Sequence, residues 1–79
     1  MRSMGNDNGG FRKRLGLAIA ERRADKGMSQ RQFALVLELD RVTLNRIESG
    51  NGNPTLGTLE RIAAGLDLTL EELFDACIR

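Results

Sequence analysis

The stretch from Ser29 to Gly50, SQRQFALVLELDRVTLNRIESG, constrains this chain more than any other. Ser29, with Gln32 three residues on, forms a capping-box pair, because each side chain can satisfy a backbone N–H that the first helical turn leaves unpaired. Phe33, Ala34 and Leu37 then share one helical face. Asp40 is a second N-cap candidate, with Thr43 at the third helical position. Leu44 and Ile47 supply the inner side of that second helix, and Gly50 is a natural C-terminal stop. Two helices this short, with roughly three residues between their caps, cannot fold back as an antiparallel hairpin and must cross steeply.

That geometry is a helix-turn-helix. The residues around it extend the pattern: Gly27-Met-Ser-Gln-Arg-Gln-Phe-Ala34; Leu37, Leu39, Arg41, Thr43 and Leu44; Arg46-Ile47-Glu48-x-Gly50; Asn53-Pro-Thr-Leu-x-Thr-Leu59. Jointly they resemble the Cro/XRE family, which contains the lambdoid phage repressors and many small bacterial regulators. The resemblance covers roughly residues 11–76, and the joint pattern is specific although the pieces "Ile-Glu-x-Gly" and "Asn-Pro-x-Leu-x-Thr-Leu" would each be weak alone. It implies an all-α, compact five-helix, lambda-repressor-like DNA-binding domain.

Seventy-nine residues allow one domain with a modest core. No apolar run approaches the ~18 residues of a membrane span, and nothing apolar follows Met1-Arg2 as a signal peptide requires. The single Cys77 excludes an internal disulfide and suits a cytoplasmic protein. With no His and one Cys, metal sites built on those ligands are excluded, and no cofactor is expected. The net charge of +1 hides an asymmetry. Residues 1–53 carry ten Lys/Arg and six Asp/Glu, whereas residues 54–79 carry two and five. The basic part holds the helix-turn-helix, and the acidic part should face away from a polyanion.

Residues 1–10, MRSMGNDNGG, read as a disordered N-terminal tail, and 11–79 as the domain. A minor-groove arm is disfavoured because Arg2 is the tail's one basic residue; Arg12, Lys13 and Arg14 are better placed to matter. Helix 1 should run from Phe11 to Lys26 with Gly27 as its stop, placing Phe11, Leu15, Ala18, Ile19 and Arg22 on one face. Helix 2 should run from Gln30 to Leu37. Leu35 and Val36 are expected to extend the core, the alternative being a second contact surface. Glu38 stands where the family usually has Gly at the turn. Either it takes a left-handed conformation at a cost of roughly 1 kcal/mol, or helix 2 continues past it. Helix 3 should run from Arg41 to Ser49. Thr55 should cap helix 4, running from Leu56 to Ala64 and stopped by Gly65, with Leu59, Ile62, Ala63 and Leu66 facing the core. Thr69 and Glu72 should open helix 5 as a second capping box.

At about 100° per residue, Val42, Asn45, Arg46 and Ser49 point away from the inner face of helix 3, and Arg41 flanks them. Most polar helix faces are merely solvated. Arg, Asn and Val together, however, can read guanine edges, adenine edges and thymine methyls. Arg41, Val42, Asn45 and Arg46 are therefore the candidate base readers. Ser29 and Gln30 are candidate phosphate contacts at a helix N-terminus. The resemblance adds Thr43, Asn51 and Asn53 as backbone contacts. It further implies an Arg23–Glu48 ion pair and a two-fold homodimer contact on helix 5 through Leu70, Leu73, Phe74 and Cys77. The expected function is a sequence-specific transcriptional regulator, a repressor or autoregulator, binding a palindromic operator in double-stranded DNA as a homodimer. An antitoxin with a toxin partner, or a protein-interaction module, are the alternatives. An enzyme is disfavoured: there is no His, no Gly-rich phosphate loop after a strand and no convergent carboxylate pair.

Overall fold

A computed structural model describes residues 4–78, and for side chains residues 10–78. Five helices follow one another: α1 (Met4–Asp25), α2 (Gln30–Leu37), α3 (Arg41–Glu48), α4 (Leu56–Gly65) and α5 (Leu70–Ile78). Among the described residues there is no strand, and no helix is long and apolar enough to cross a membrane.

The expected start signals operate. The Ser29 hydroxyl accepts from the Gln32 N–H at 3.0 Å, while the Gln32 side chain accepts from the Ser29 N–H at 2.8 Å. Thr69 and Glu72 make the same reciprocal pair. Asp40 accepts from the Val42 N–H, and Thr55 from the Thr58 N–H. Each cap satisfies a donor the first turn would otherwise strand. Gly27 and Gly50 stop their helices with φ of 73° and 84°.

Three expectations need correction. First, α1 begins at Met4 rather than Phe11, so residues 4–10 of the expected tail are helical; residues 1–3 lie outside the described residues. Once a helix is nucleated, each further residue adds a hydrogen bond, and the ladder runs upstream without any apolar pattern to announce it. Second, Gly65 lies within α4, and the left-handed reversal falls on Asp67 at φ 60°. Gly65 matters for its size: a Cβ there would sit 2.9 Å from Leu37 Cδ2 and 3.1 Å from Phe33 Cε1. Of the two conformations open to Glu38, the left-handed one is adopted (φ 58°, ψ 37°), so α2 does not run on. Third, Leu35 and Val36 do not extend the core: they are 74% and 59% exposed, because Phe33, Ala34 and Leu37 already fill the inward face. Arg22, the one charged residue on the expected inner face of α1, is exposed.

The core joins all five helices. Phe33, Ile19, Leu44, Ile62 and Leu73 are its fully buried large side chains. Phe11 and Phe74 close the α1–α5 end edge to face, their ring centroids 6.1 Å apart. α1 also crosses α3, and the crossing is close enough that a Cβ at Gly16 would run into the Glu48 carbonyl oxygen and lie 2.5 Å from that of Ile47. Gly16 thereby fixes how deeply α3 sits against the domain.

Candidate nucleic-acid interface

Burial orients α3. Leu44 and Ile47 are 0% and 4% exposed. Pinning those two inward turns Arg41, Val42, Asn45 and Arg46 outward, and all four are exposed. Val42 presents an apolar surface between the polar groups and is 66% exposed, a cost in water that a thymine methyl would remove. Gln30 of α2 joins Arg41, Val42 and Asn45 around one shallow depression; Ser29, Gln30, Arg31 and Arg41 line the next. Arg31 is thus an interface candidate that the sequence pattern missed, although its place directly after Gln30 was a usable signal.

Behind this face lies a hydrogen-bond relay. Arg23 of α1 holds Glu48 through two parallel bonds, Nε to Oε2 at 2.8 Å and Nη2 to Oε1 at 3.0 Å. Its Nη1 donates to the Met28 carbonyl at 2.8 Å, tying down the entry to α2. The ion pair implied by the resemblance is therefore present, with side chains only 17% and 6% exposed. The Glu48 hydrogen bond and charge hold Arg23 still further into its charged form. Gln30 Nε2 donates to the same Glu48 Oε1 at 3.0 Å, and Gln30 Oε1 accepts from Asn45 Nδ2 at 3.3 Å. A phosphate candidate on α2 and a base-reading candidate on α3 are thus held by one chain of bonds rooted in α1. One N–H of the Gln30 amide remains for a phosphate oxygen.

Other candidates are more committed to the fold. The Thr43 hydroxyl donates to Asp40 Oδ2 at 2.9 Å. That bond and the Val42 N–H hold the Asp40 carboxyl below its ordinary range, and Thr43 must release its single proton from Asp40 before it can serve a phosphate. In the loop after α3, the N–H of Gly50 bonds the Ile47 carbonyl, and those of Asn51 and Gly52 bond the Arg46 carbonyl. These amides close the helix end and are not free for anions. The loop's side chains are better placed. Asn53 Oδ1 accepts from Arg12 Nη2 at 3.4 Å, which brings Arg12 to the loop. Asn51 Nδ2 rests on Ser49 Oγ at 3.3 Å. Thr43, Arg46, Asn51, Asn53, Thr55 and Thr58 border the depression between α3 and α4.

The expected dimer residues divide. Leu73 and Cys77 are 0% and 3% exposed within the protomer, so they belong to its core and offer a partner nothing. Burial pushes the Cys77 thiol above its ordinary range, with the Arg14 charge opposing, as suits an unreactive small hydrophobe. Leu70 and Phe74 are half-buried on the same helix, and Ile78 is 67% exposed at its end. No group of three His, Cys, Asp or Glu side chains among the described residues could hold a metal ion.

A helix-turn-helix family model matches residues 19–73. A control protein of a Mycoplasma species, C.MunI, is 44% identical over 62 residues, which is 77% of this chain and 84% of that protein. The restriction-modification controller protein C.AhdI from Aeromonas hydrophila superposes with a TM-score of 0.74 at 33% identity, over 77% of this chain and 92% of its own. The restriction-modification controller protein C.Esp1396I, as a tetramer in complex with its natural 35-base-pair operator, superposes with a TM-score of 0.73 at 29% identity, over 87% of this chain and 96% of its own. With its five helices in lambda-repressor-like order and its outward-facing α3, the chain belongs to the Cro/XRE-type helix-turn-helix family.

Proposed function

We propose that the protein is a sequence-specific DNA-binding transcriptional regulator of the controller type, which grips a two-fold-symmetric operator as a homodimer. The observation that carries this reading is the exposed row Arg41, Val42, Asn45 and Arg46 on a helix whose opposite side is fully buried. The N-terminal half of α3 enters the major groove. Arg41 donates to guanine O6 and N7, Asn45 pairs with an adenine edge, and Val42 meets a thymine methyl. Arg46 serves either a guanine or a phosphate. Ser29 and Gln30 meet the sugar–phosphate backbone at the start of α2, where the helix terminus favours anions. Asn51 and Asn53, joined by Arg12, meet it beyond α3. Thr43 does so only by giving up Asp40. Such contacts fix register, while the base-edge contacts specify.

One helix-turn-helix reads too few base pairs for useful specificity in a genome. A two-fold dimer doubles the site and spaces its halves by about one helical turn, ~34 Å. Leu70, Phe74, Ala76 and Ile78 are the apolar side chains of α5 left for that contact. The related controllers, one of them described as a tetramer on its operator, support the same reading. The regulator acts in the cytoplasm, on the nucleoid.

The test begins by selecting preferred duplexes from a random pool. Arg41→Ala is then titrated against the preferred site and its single-base variants at several salt concentrations. Loss of a base contact costs about 1–3 kcal/mol and relaxes preference at one position. If discrimination survives at every position while the salt slope falls by about one unit, Arg41 is a phosphate clamp. A wild-type protein that enriches no sequence refutes the functional reading, and a protein sedimenting only as monomer at tens of micromolar, with and without DNA, removes the dimer.

A further inference from the structure

The geometry points to Arg61, on α4, as a positioning residue of the DNA-reading unit: its guanidinium latches the turn between α2 and α3. The turn passes through Glu38 in a left-handed conformation that side-chain-bearing residues rarely adopt. The Glu38 N–H bonds the Leu35 carbonyl at 3.2 Å and the Leu39 N–H bonds the Ala34 carbonyl at 3.0 Å. The carbonyls of Leu37 and Glu38 are left facing α4. Arg61 Nη2 donates to both, to Leu37 O and, at 3.2 Å, to Glu38 O.

The reach is possible because α4 comes close to α2, where bare Gly65 lies against Leu37 and Phe33. A guanidinium suits the task because it presents several donors in a fixed plane and is always charged. α3 starts at Arg41, directly after Leu39 and the Asp40 cap. The torsions at Glu38 therefore set the direction in which Arg41 and Asn45 point. Arg61 itself lines a depression with Val36, Leu37, Glu38, Ala64 and Gly65, none of them a base-reading candidate, so it acts through the turn and not on DNA.

The binding half of this inference rests on the function proposed above, and two measurements keep the two apart. The first needs no DNA: amide hydrogen exchange of Leu39 in Arg61→Ala, read well below its unfolding midpoint, speeds up by about tenfold, the worth of one charge-assisted hydrogen bond. The second titrates the selected operator. Arg61→Ala weakens binding by about tenfold with an unchanged salt slope, and adding Glu38→Gly, which removes the left-handed penalty, restores affinity to within about threefold. Should Arg61→Ala not fold, Arg61→Lys keeps the charge, gives up the planar fork and is read in the same two ways, with smaller effects in the same direction. Unchanged Leu39 exchange overturns the latch. A salt slope lower by about one unit makes Arg61 a phosphate contact instead. Failure of Glu38→Gly to rescue shows that the turn is not the route. Faster Leu39 exchange in Arg61→Ala, alongside a wild-type protein that binds no duplex, upholds the latch and refutes the functional reading alone.

Discussion

Arg23→Ala tests whether α1 holds α3 in place. Arg23 makes two bonds to Glu48 and one to the Met28 carbonyl. An exposed ion pair is worth about 0–1 kcal/mol, whereas removing one partner of a buried pair costs about 3–5 kcal/mol. This pair sits near the buried limit on the Glu48 side, at 6% exposure, and somewhat short of it on the Arg23 side, at 17%. After the substitution Glu48 keeps only the Gln30 amide, at 3.0 Å, against its negative charge. That remaining donor and partial solvent access bring the expected loss to about 2–4 kcal/mol. A domain of 79 residues commands about 4–12 kcal/mol in total, so the variant is severely weakened. The midpoint should fall by about 4–8 °C for each kcal/mol lost. Urea unfolding followed by circular dichroism is the assay, with an unchanged slope required for a two-state comparison. The double variant Arg23→Ala/Glu48→Ala should lose less than the sum of the singles, because the stranded carboxylate is then gone. A loss below about 1 kcal/mol for Arg23→Ala, with additive singles, would show an ordinary surface pair and refute the reasoning.

Gly16→Ala reverses the usual rule that alanine stabilises a helix interior by about 0.5–1 kcal/mol. Its Cβ would collide with the Glu48 carbonyl oxygen and meet that of Ile47 at 2.5 Å, so a loss of at least ~2 kcal/mol is expected by chemical denaturation, and a gain would contradict the close crossing of α1 and α3. Gln30→Ala should cost general affinity and also weaken preference at the base pair proposed for Asn45, since Gln30 holds both Glu48 and Asn45; a uniform loss across single-base variants would count against that coupling. Asp40 has a carboxyl lowered in the folded state, first by the Thr43 hydroxyl and then by the Val42 N–H. Its contribution to stability is therefore complete above the ordinary value of 3.8 and lost as pH falls through the lowered one. The stability gap between wild type and Asp40→Asn should shrink on acidification below 3.8, and a gap independent of pH would remove this role.

Local chemistry makes much of this protein legible in its sequence. Ser29, Asp40, Thr55 and Thr69 announce helix starts because a cap needs only a side chain two or three residues from an orphan N–H. Leu44 and Ile47 identify the inner face of α3 by spacing alone, and so the outward row that forms the candidate interface. Gly27 and Gly50 mark left-handed stops. None of these inferences requires knowing what lies across the domain.

What the tertiary structure alone decided is everything that depends on a neighbour remote in sequence. Gly16 and Gly65 look like helix-weakening residues until α3 and α2 arrive within contact of their missing Cβ atoms. Leu73 and Cys77 read as an apolar stripe equally suited to a partner or to the core, and only the packing of α1 and α4 against α5 assigns them to the core. Leu35 and Val36 are apolar yet exposed, because burial belongs to a face that neighbouring helices cover and not to a residue type. Gln30 and Asn45 meet across fifteen positions, and Arg61 reaches the Glu38 turn across twenty-three. Periodicity carries information over one or two helical turns. Which side chains share a hydrogen bond across such distances is set only when the helices pack.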